Sequence, residues 1–113
     1  MSEIPTPKII DKMETILNIA SDSTRLKILY SIQDESKSVN DIVKACDASQ
    51  SLISHQLAIL KKAHLVTSEK VGKKVYYKLD DDHVVKLLQL VYEHVIEDKW
   101  YERRKRYKRR RFI

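Results

Sequence analysis

A single glycine, Gly72, occurs in 113 residues, and both prolines, Pro5 and Pro7, fall within the first seven. A β-sandwich or barrel needs a turn-forming residue every few positions, so the chain is restricted to helices with at most a short hairpin. The length fits one domain with a single modest core. No apolar run approaches the roughly 20 residues that span a bilayer, and the polar, acidic start Met-Ser-Glu-Ile-Pro-Thr-Pro is unlike a secretory leader. Cys46 is the only cysteine. That excludes an intrachain disulfide framework and fits the reducing cytoplasm.

Charge divides the sequence in two. Residues 102–113 hold eight basic residues and one acidic residue, a charge of +7, whereas the other 101 residues hold 14 basic and 15 acidic, a charge of −1. The expected organisation is a domain over residues 1–101 followed by a basic tail at 102–113. Any affinity of the domain for a polyanion must therefore come from local patches rather than from net charge.

Helical spacing appears first. Thr6 can cap a helix over residues 6–20, with Pro7 at its first position and Ile9, Met13, Ile16, Leu17 and Ala20 on one face. Asp22 can cap a second helix reaching about Gln33, with Leu26, Ile28, Leu29 and Ile32 inward. Asp34–Lys37 reads as a polar connector. Ser38-Val39-Asn40-Asp41 is a capping-box variant that opens a short third helix. After the turn Cys46-Asp47-Ala48, Ser49 can cap a fourth helix from Gln50 to about Ala63, with Leu52, Leu57 and Leu60 toward the core and Ile53 on the flank. The period then changes to two: Val75, Tyr77 and Leu79 alternate with Lys74, Tyr76 and Lys78. This predicts a strand, paired with one at about 65–70 across a tip at Val71-Gly72-Lys73. Helical spacing resumes at Asp81 and runs to about Trp100.

Two helices joined by a three-residue turn and followed by a hairpin read as a winged helix-turn-helix, mainly α with a β-hairpin wing. The fourth helix is then the one that enters the major groove. Gln50, Ser51, Ser54 and His55 on its outer side can hydrogen-bond to base edges of double-stranded operator DNA. Lys70, Lys73 and Lys74 on the wing, with Lys78, can meet phosphate. Taken singly, each feature is also what a solvated surface shows; their occurrence in this order is what points to DNA.

Three blocks carry a resemblance to a known family. Asp22-Ser23-Thr24-Arg25-Leu26-Lys27-Ile28-Leu29 resembles the second helix of the ArsR/SmtB bacterial metalloregulators. Ser49 to Leu60, with its Ser54-His55-Gln56-Leu57 core, is similar to their recognition helix, and Lys70 to Leu79 to their wing. The resemblance covers about residues 12–98 and implies a homodimeric repressor that leaves its operator on binding an inducer. The basic tail has no counterpart in that pattern.

The last predicted helix carries Asp81-x-His83 at its start and His94-x-x-Glu97 near its end. Eleven residues place His83 and His94 on nearly one face but about 16 Å apart along the axis, too far for one metal within a chain. An antiparallel two-fold mate brings Asp81 and His83 of one chain against His94 and Glu97 of the other, giving two identical four-ligand sites. Two imidazoles and two carboxylates suit zinc, with cobalt tolerated. Zinc-sensing members of the family carry this same arrangement. The family's other, thiolate-bearing site is expected to be absent, since Ser38 stands where a cysteine belongs; Asp41 then reads as part of a cap and Cys46 as packing. The resemblance also makes the backbone carbonyl of His64 a candidate second link from metal to DNA helix, accepting from a metal-bound imidazole.

The expected function is a cytoplasmic, zinc-responsive homodimeric repressor, with no membrane partner. The alternatives are a winged-helix regulator with a structural or vestigial metal site, and a basic-tailed adaptor for RNA or membrane surfaces. Catalysis is not expected: no nucleophile–base set or phosphate-cradling glycine loop appears, and a metal held by four protein ligands has no open position.

Overall fold

The computed structural model describes residues 3–97. In chain order the elements are α1 (Pro7–Ala20), α2 (Ser23–Ser31), β1 (Lys37–Ser38), α3 (Val39–Cys46), α4 (Gln50–Lys62), β2 (Val66–Val71), β3 (Lys74–Leu79) and α5 (Asp82–Ile96). The chain divides into two compact units, the first ending at Asp81 and the second beginning with α5. The basic tail and the stretch of the last helix expected up to Trp100 lie outside the described residues.

Each of the first four helices starts on a side-chain cap. Thr6 Oγ1 accepts from Ile9 N–H, Asp22 Oδ2 from Arg25 N–H, Ser38 Oγ from Asp41 N–H and Ser49 Oγ from Leu52 N–H, at 3.1–3.4 Å. Each satisfies one of the amides that a helix start leaves without an intrahelical acceptor. The C-terminal ends of α3 and α4 need a left-handed residue, and no glycine stands there. Asp47 adopts φ 51° after α3 and His64 φ 61° after α4. At His64 the geometry is a Schellman closure: Leu65 N–H donates to the Leu60 carbonyl and His64 N–H to that of Lys61.

The core of the first unit is made by Ile28, Leu29 and Ile32 after α2's N-terminal turn, Ile42 of α3, Ile53, Leu57 and Leu60 of α4, and Leu65, Val66 and Leu79 beside them. Burying each such side chain contributes about 1.5–3 kcal/mol. The expected assignment within α4 is corrected here: Ile53 is fully buried and Leu52 is 39% exposed. At about 100° per residue, Ile53, Leu57 and Leu60 cluster within some 60°, and Leu52 lies roughly 100° from Ile53. The expected polar connector is also revised at its end, where Lys37 and Ser38 form a strand. The sheet is antiparallel in the order β1-β3-β2, with Ser38 opposite Tyr76, Glu69 opposite Tyr76 on the other side, and Val71 opposite Lys74. The hairpin tip is therefore two residues, Gly72-Lys73, with Gly72 at φ 64°.

Two apolar stripes stand open. No residue of α1 is buried, and Ile9, Met13 and Leu17 are each about half exposed. On α5, Val84 and Leu88 are buried, and Leu87, Leu90, Val91 and Val95 are exposed. No described helix is long and apolar enough to cross a membrane.

Candidate DNA interface and metal centre

The N-terminal half of α4 places its polar side chains outward because the opposite side is committed to Ile53, Leu57 and Leu60. Ser51 and His55 fall about 160° from the Ile53 direction and Ser54 about 100°. All three are exposed, as is Gln50 in the first turn. The Ser49 cap fixes the start of the helix, and Ser49 Oγ lies 3.4 Å from Ser51 Oγ. The helix start presents the positive end of its dipole, which favours a phosphate.

The wing is fastened to this helix. Lys61 Nζ, in the last turn of α4, donates to Ser68 Oγ of β2 at 2.7 Å. Across an antiparallel pair, opposed residues share a face. Glu69, Lys74, Tyr76 and Lys78 therefore lie on one face and Lys70, Val75 and Tyr77 on the other, with Lys73 at the tip. The four wing lysines are all exposed. Their division between the two faces was not anticipated, and it suits a blade that meets phosphates on both of its sides.

The metal candidates are distributed as the helical spacing requires. His83, Leu87, Leu90, His94 and Glu97 fall within about 80° on α5, one stripe with donors at the ends and leucines between. His94 and Glu97 line one shallow hollow of about 470 Å³, together with Glu93, Leu90, Val91 and Val95. Glu97, one residue past the helix, still donates its N–H to the Glu93 carbonyl at 3.2 Å. Asp81 precedes α5 in the chain. Among the described residues of one chain, no three His, Cys, Asp or Glu side chains come together as a metal group.

Ser38 is buried, caps α3 and pairs with β3, so the position that would carry a thiolate serves the fold. Asp41 N–H receives that cap, and its carboxylate stands exposed in the first turn of α3. The half-buried Cys46 thiol is pushed up in pKa chiefly by burial, against a Ser31 hydrogen bond and the charges of Lys27 and Lys37. His64 is exposed, and its left-handed backbone follows from the end of α4.

Residues 22–68 match the family described as bacterial regulatory protein, arsR family. The HTH-type transcriptional repressor SmtB of Mycobacterium tuberculosis is 31% identical over 94 residues, 83% of this chain and 70% of the relative. The chain belongs to the ArsR/SmtB family of metal-sensing transcriptional repressors. The transcriptional repressor SmtB homolog of Synechocystis is 35% identical over 86 residues, 76% of this chain. The chain spans 65% of that relative's length. Among solved structures, HlyU from Vibrio cholerae superimposes with a TM-score of 0.75 at 27% identity, covering 81% of this chain and all of that one. The ArsR/SmtB fold is the winged helix-turn-helix expected from the sequence, and the family and its repressors are transcriptional regulators, not enzymes.

Of the metal that ArsR/SmtB membership implies, the residues at hand make a fitting donor set. Both imidazoles lie on one stripe of α5, Glu97 continues it one residue past the helix, His94 and Glu97 share a hollow, and imidazole nitrogens with carboxylate oxygens suit a divalent transition metal.

Arg25 and Gln56 were missed by the sequence reading. Arg25 Nη1 donates to Gln56 Oε1 at 2.7 Å and Nε to the Ile19 carbonyl at 2.7 Å. An arginine three residues after a cap and before the run Leu26–Leu29 is the signal that was available, since a polar fork beside an inward face needs acceptors.

Proposed function

We propose that the chain acts as a homodimeric repressor whose free form binds a two-fold operator and which zinc releases. The observation that carries this reading is the α5 stripe. Its ends hold two half-sets of ligands, His83 with the preceding Asp81 and His94 with Glu97, separated by about 16 Å. Its middle is exposed leucine. A half-set needs a complement, exposed apolar residues need cover, and an antiparallel copy of the same helix supplies both. The open stripe of α1 supports a second copy as well.

In this reading Asp81, His83, His94 and Glu97 hold zinc, with cobalt accepted. A bound ion would supply a positive centre shared by the donors of two chains. The chain's own residues do the rest. Gln50, Ser51, Ser54 and His55 read base edges, Lys70, Lys73 and Lys74 bind phosphate, and the His64 carbonyl accepts from a ligating imidazole. The charge of +7 over residues 102–113 adds sequence-independent affinity through counterion release. Genes for metal efflux or sequestration are the expected targets, and the cytoplasm the expected site of action.

The test is an operator titration of the purified protein with and without zinc, cobalt and nickel. Coupling of about 1–3 kcal/mol, or 5–150-fold in operator affinity, is expected, with DNA weakening zinc binding by the same factor. Tight zinc binding with unchanged operator affinity would assign the site a structural or vestigial role instead.

A further inference from the structure

Arg25 contacts three elements at once. Its backbone N–H donates to Asp22 Oδ2 at 3.1 Å, inside the first turn of α2. Its Nε donates to the Ile19 carbonyl at 2.7 Å. Ile19 sits in the last turn of α1, where carbonyls lack an intrahelical donor and where α1 has no basic residue of its own. The guanidinium therefore completes α1 and opposes the negative end of its dipole. Its Nη1 donates to Gln56 Oε1 at 2.7 Å, across 31 residues of sequence. Gln56 lies on α4 between outward His55 and buried Leu57.

We infer that Arg25 is a positioning residue that fixes the rotation of α4 about its own axis relative to the end of α1, and so sets how the polar side chains of α4 meet base edges. This rests on α4 being the DNA-reading helix. The buried residues Ile53, Leu57 and Leu60 hold α4 against the core, but apolar contact is non-directional and tolerates a small roll. The Gln56 amide is an off-axis handle, and a charged fork held at two acceptors is directional. A roll of about 15° moves a side-chain tip 5–6 Å from the axis by roughly 1.5 Å. A base-edge hydrogen bond does not survive such a shift, whereas a lysine contact to phosphate does. Losing the fork therefore costs discrimination between sequences more than it costs affinity for DNA as such.

The probes are a duplex selected by the wild-type chain from a randomised library and a random duplex of equal length, at fixed salt. Arg25→Lys keeps the charge but loses the fork. Gln56→Met removes the acceptor at similar volume, and Gln56→Glu restores an acceptor. Arg25→Lys and Gln56→Met are each expected to lower the ratio of selected to random affinity about tenfold. The double variant is expected to fall no further than either single, because both remove one interaction. Gln56→Glu keeps the wild-type ratio while its charge weakens both duplexes. A merely structural role lowers the melting temperature and leaves the ratio unchanged. If Arg25→Lys loses native circular dichroism, the two Gln56 variants, altered at a half-exposed side chain, carry the test. An unchanged ratio in folded Gln56→Met, or additive losses, overturns the inference alone. Failure of the wild-type chain to enrich any duplex over random overturns the DNA-reading assignment, and this inference with it.

Discussion

Ser49 stands where stability and recognition meet, and the two can be separated at its side chain. Its Oγ accepts from Leu52 N–H at 3.2 Å at the start of α4. Ser49→Ala removes that acceptor and should cost about 1 kcal/mol. For a domain of this size each kcal/mol moves the midpoint by about 4–8 °C, so the melting temperature should fall by that amount at fixed protein concentration. Ser49→Asp keeps an acceptor at the same place and adds a negative charge at the positive end of the helix, worth about 0.3–1 kcal/mol. Its melting temperature should equal or exceed that of wild type. On DNA the order reverses. The aspartate sets a carboxylate among phosphates, and duplex affinity should drop about tenfold or more at low salt, the gap closing as salt screens it. The assays are thermal circular dichroism and anisotropy of a labelled duplex. An unchanged melting temperature in Ser49→Ala would refute the cap as a source of stability. Wild-type affinity of Ser49→Asp at low salt would refute the placement of α4's start against the duplex.

Substituting His83→Ala or His94→Ala should abolish high-affinity zinc binding and leave metal-free DNA binding near normal; a zinc response kept in both places the site elsewhere. Zinc affinity should also fall on acidification, because protons compete with the metal for its nitrogen and oxygen donors, and a pH-independent affinity argues for a different donor set. Ser54→Ala or His55→Ala should lower the ratio of operator to random-duplex affinity, whereas Lys73→Ala should weaken both and flatten the salt dependence by about one unit of slope; equal losses on both duplexes for the α4 variants contradict their role as readers. Because burial raises the Cys46 thiol and the thiolate is the nucleophile, iodoacetamide should modify the folded chain more slowly than free cysteine at neutral pH. A chain ending at Tyr101 should bind every duplex more weakly than full length at low salt, with operator preference unchanged.

The caps were the most legible part of the sequence. Thr6, Asp22, Ser38 and Ser49 each announce a helix start because the chemistry is local, one hydroxyl or carboxylate and an amide three residues on. The wing was legible for the same reason, since alternation is a property of neighbours. What escaped was set by the far side of the fold. Two residues at Lys37–Ser38 are too few to show a period, and they become a strand only because Tyr76 and Tyr77 offer a free edge. Leu52 and Ile53 are equally apolar, and which one is buried depends on where Leu57 and Leu60 point. Lys70 and Lys74 look alike in sequence, and the pairing register alone puts them on opposite faces. The Arg25–Gln56 bond spans 31 residues, beyond any local pattern. Within the candidate site, the polar face of α4 and the shared stripe of His83, His94 and Glu97 followed from helical spacing alone. The strut behind α4 did not.

The third strand also bears on the order in which the molecule assembles. The two-residue tip lets β2 and β3 meet without closing any long loop, an event on the scale of about 1–10 μs. Docking β1 instead joins position 38 to position 76, which requires α3 and α4 to be in place between them and carries the loop-closure entropy of that whole stretch. Loop-closure entropy alone therefore predicts that the blade pairs early and attaches to the body late, an order that φ-values at the tip and at β1 would test. Ser38 sits at that junction with its hydroxyl on α3 and its backbone on β3, so a single residue joins the start of a helix to the edge of a sheet.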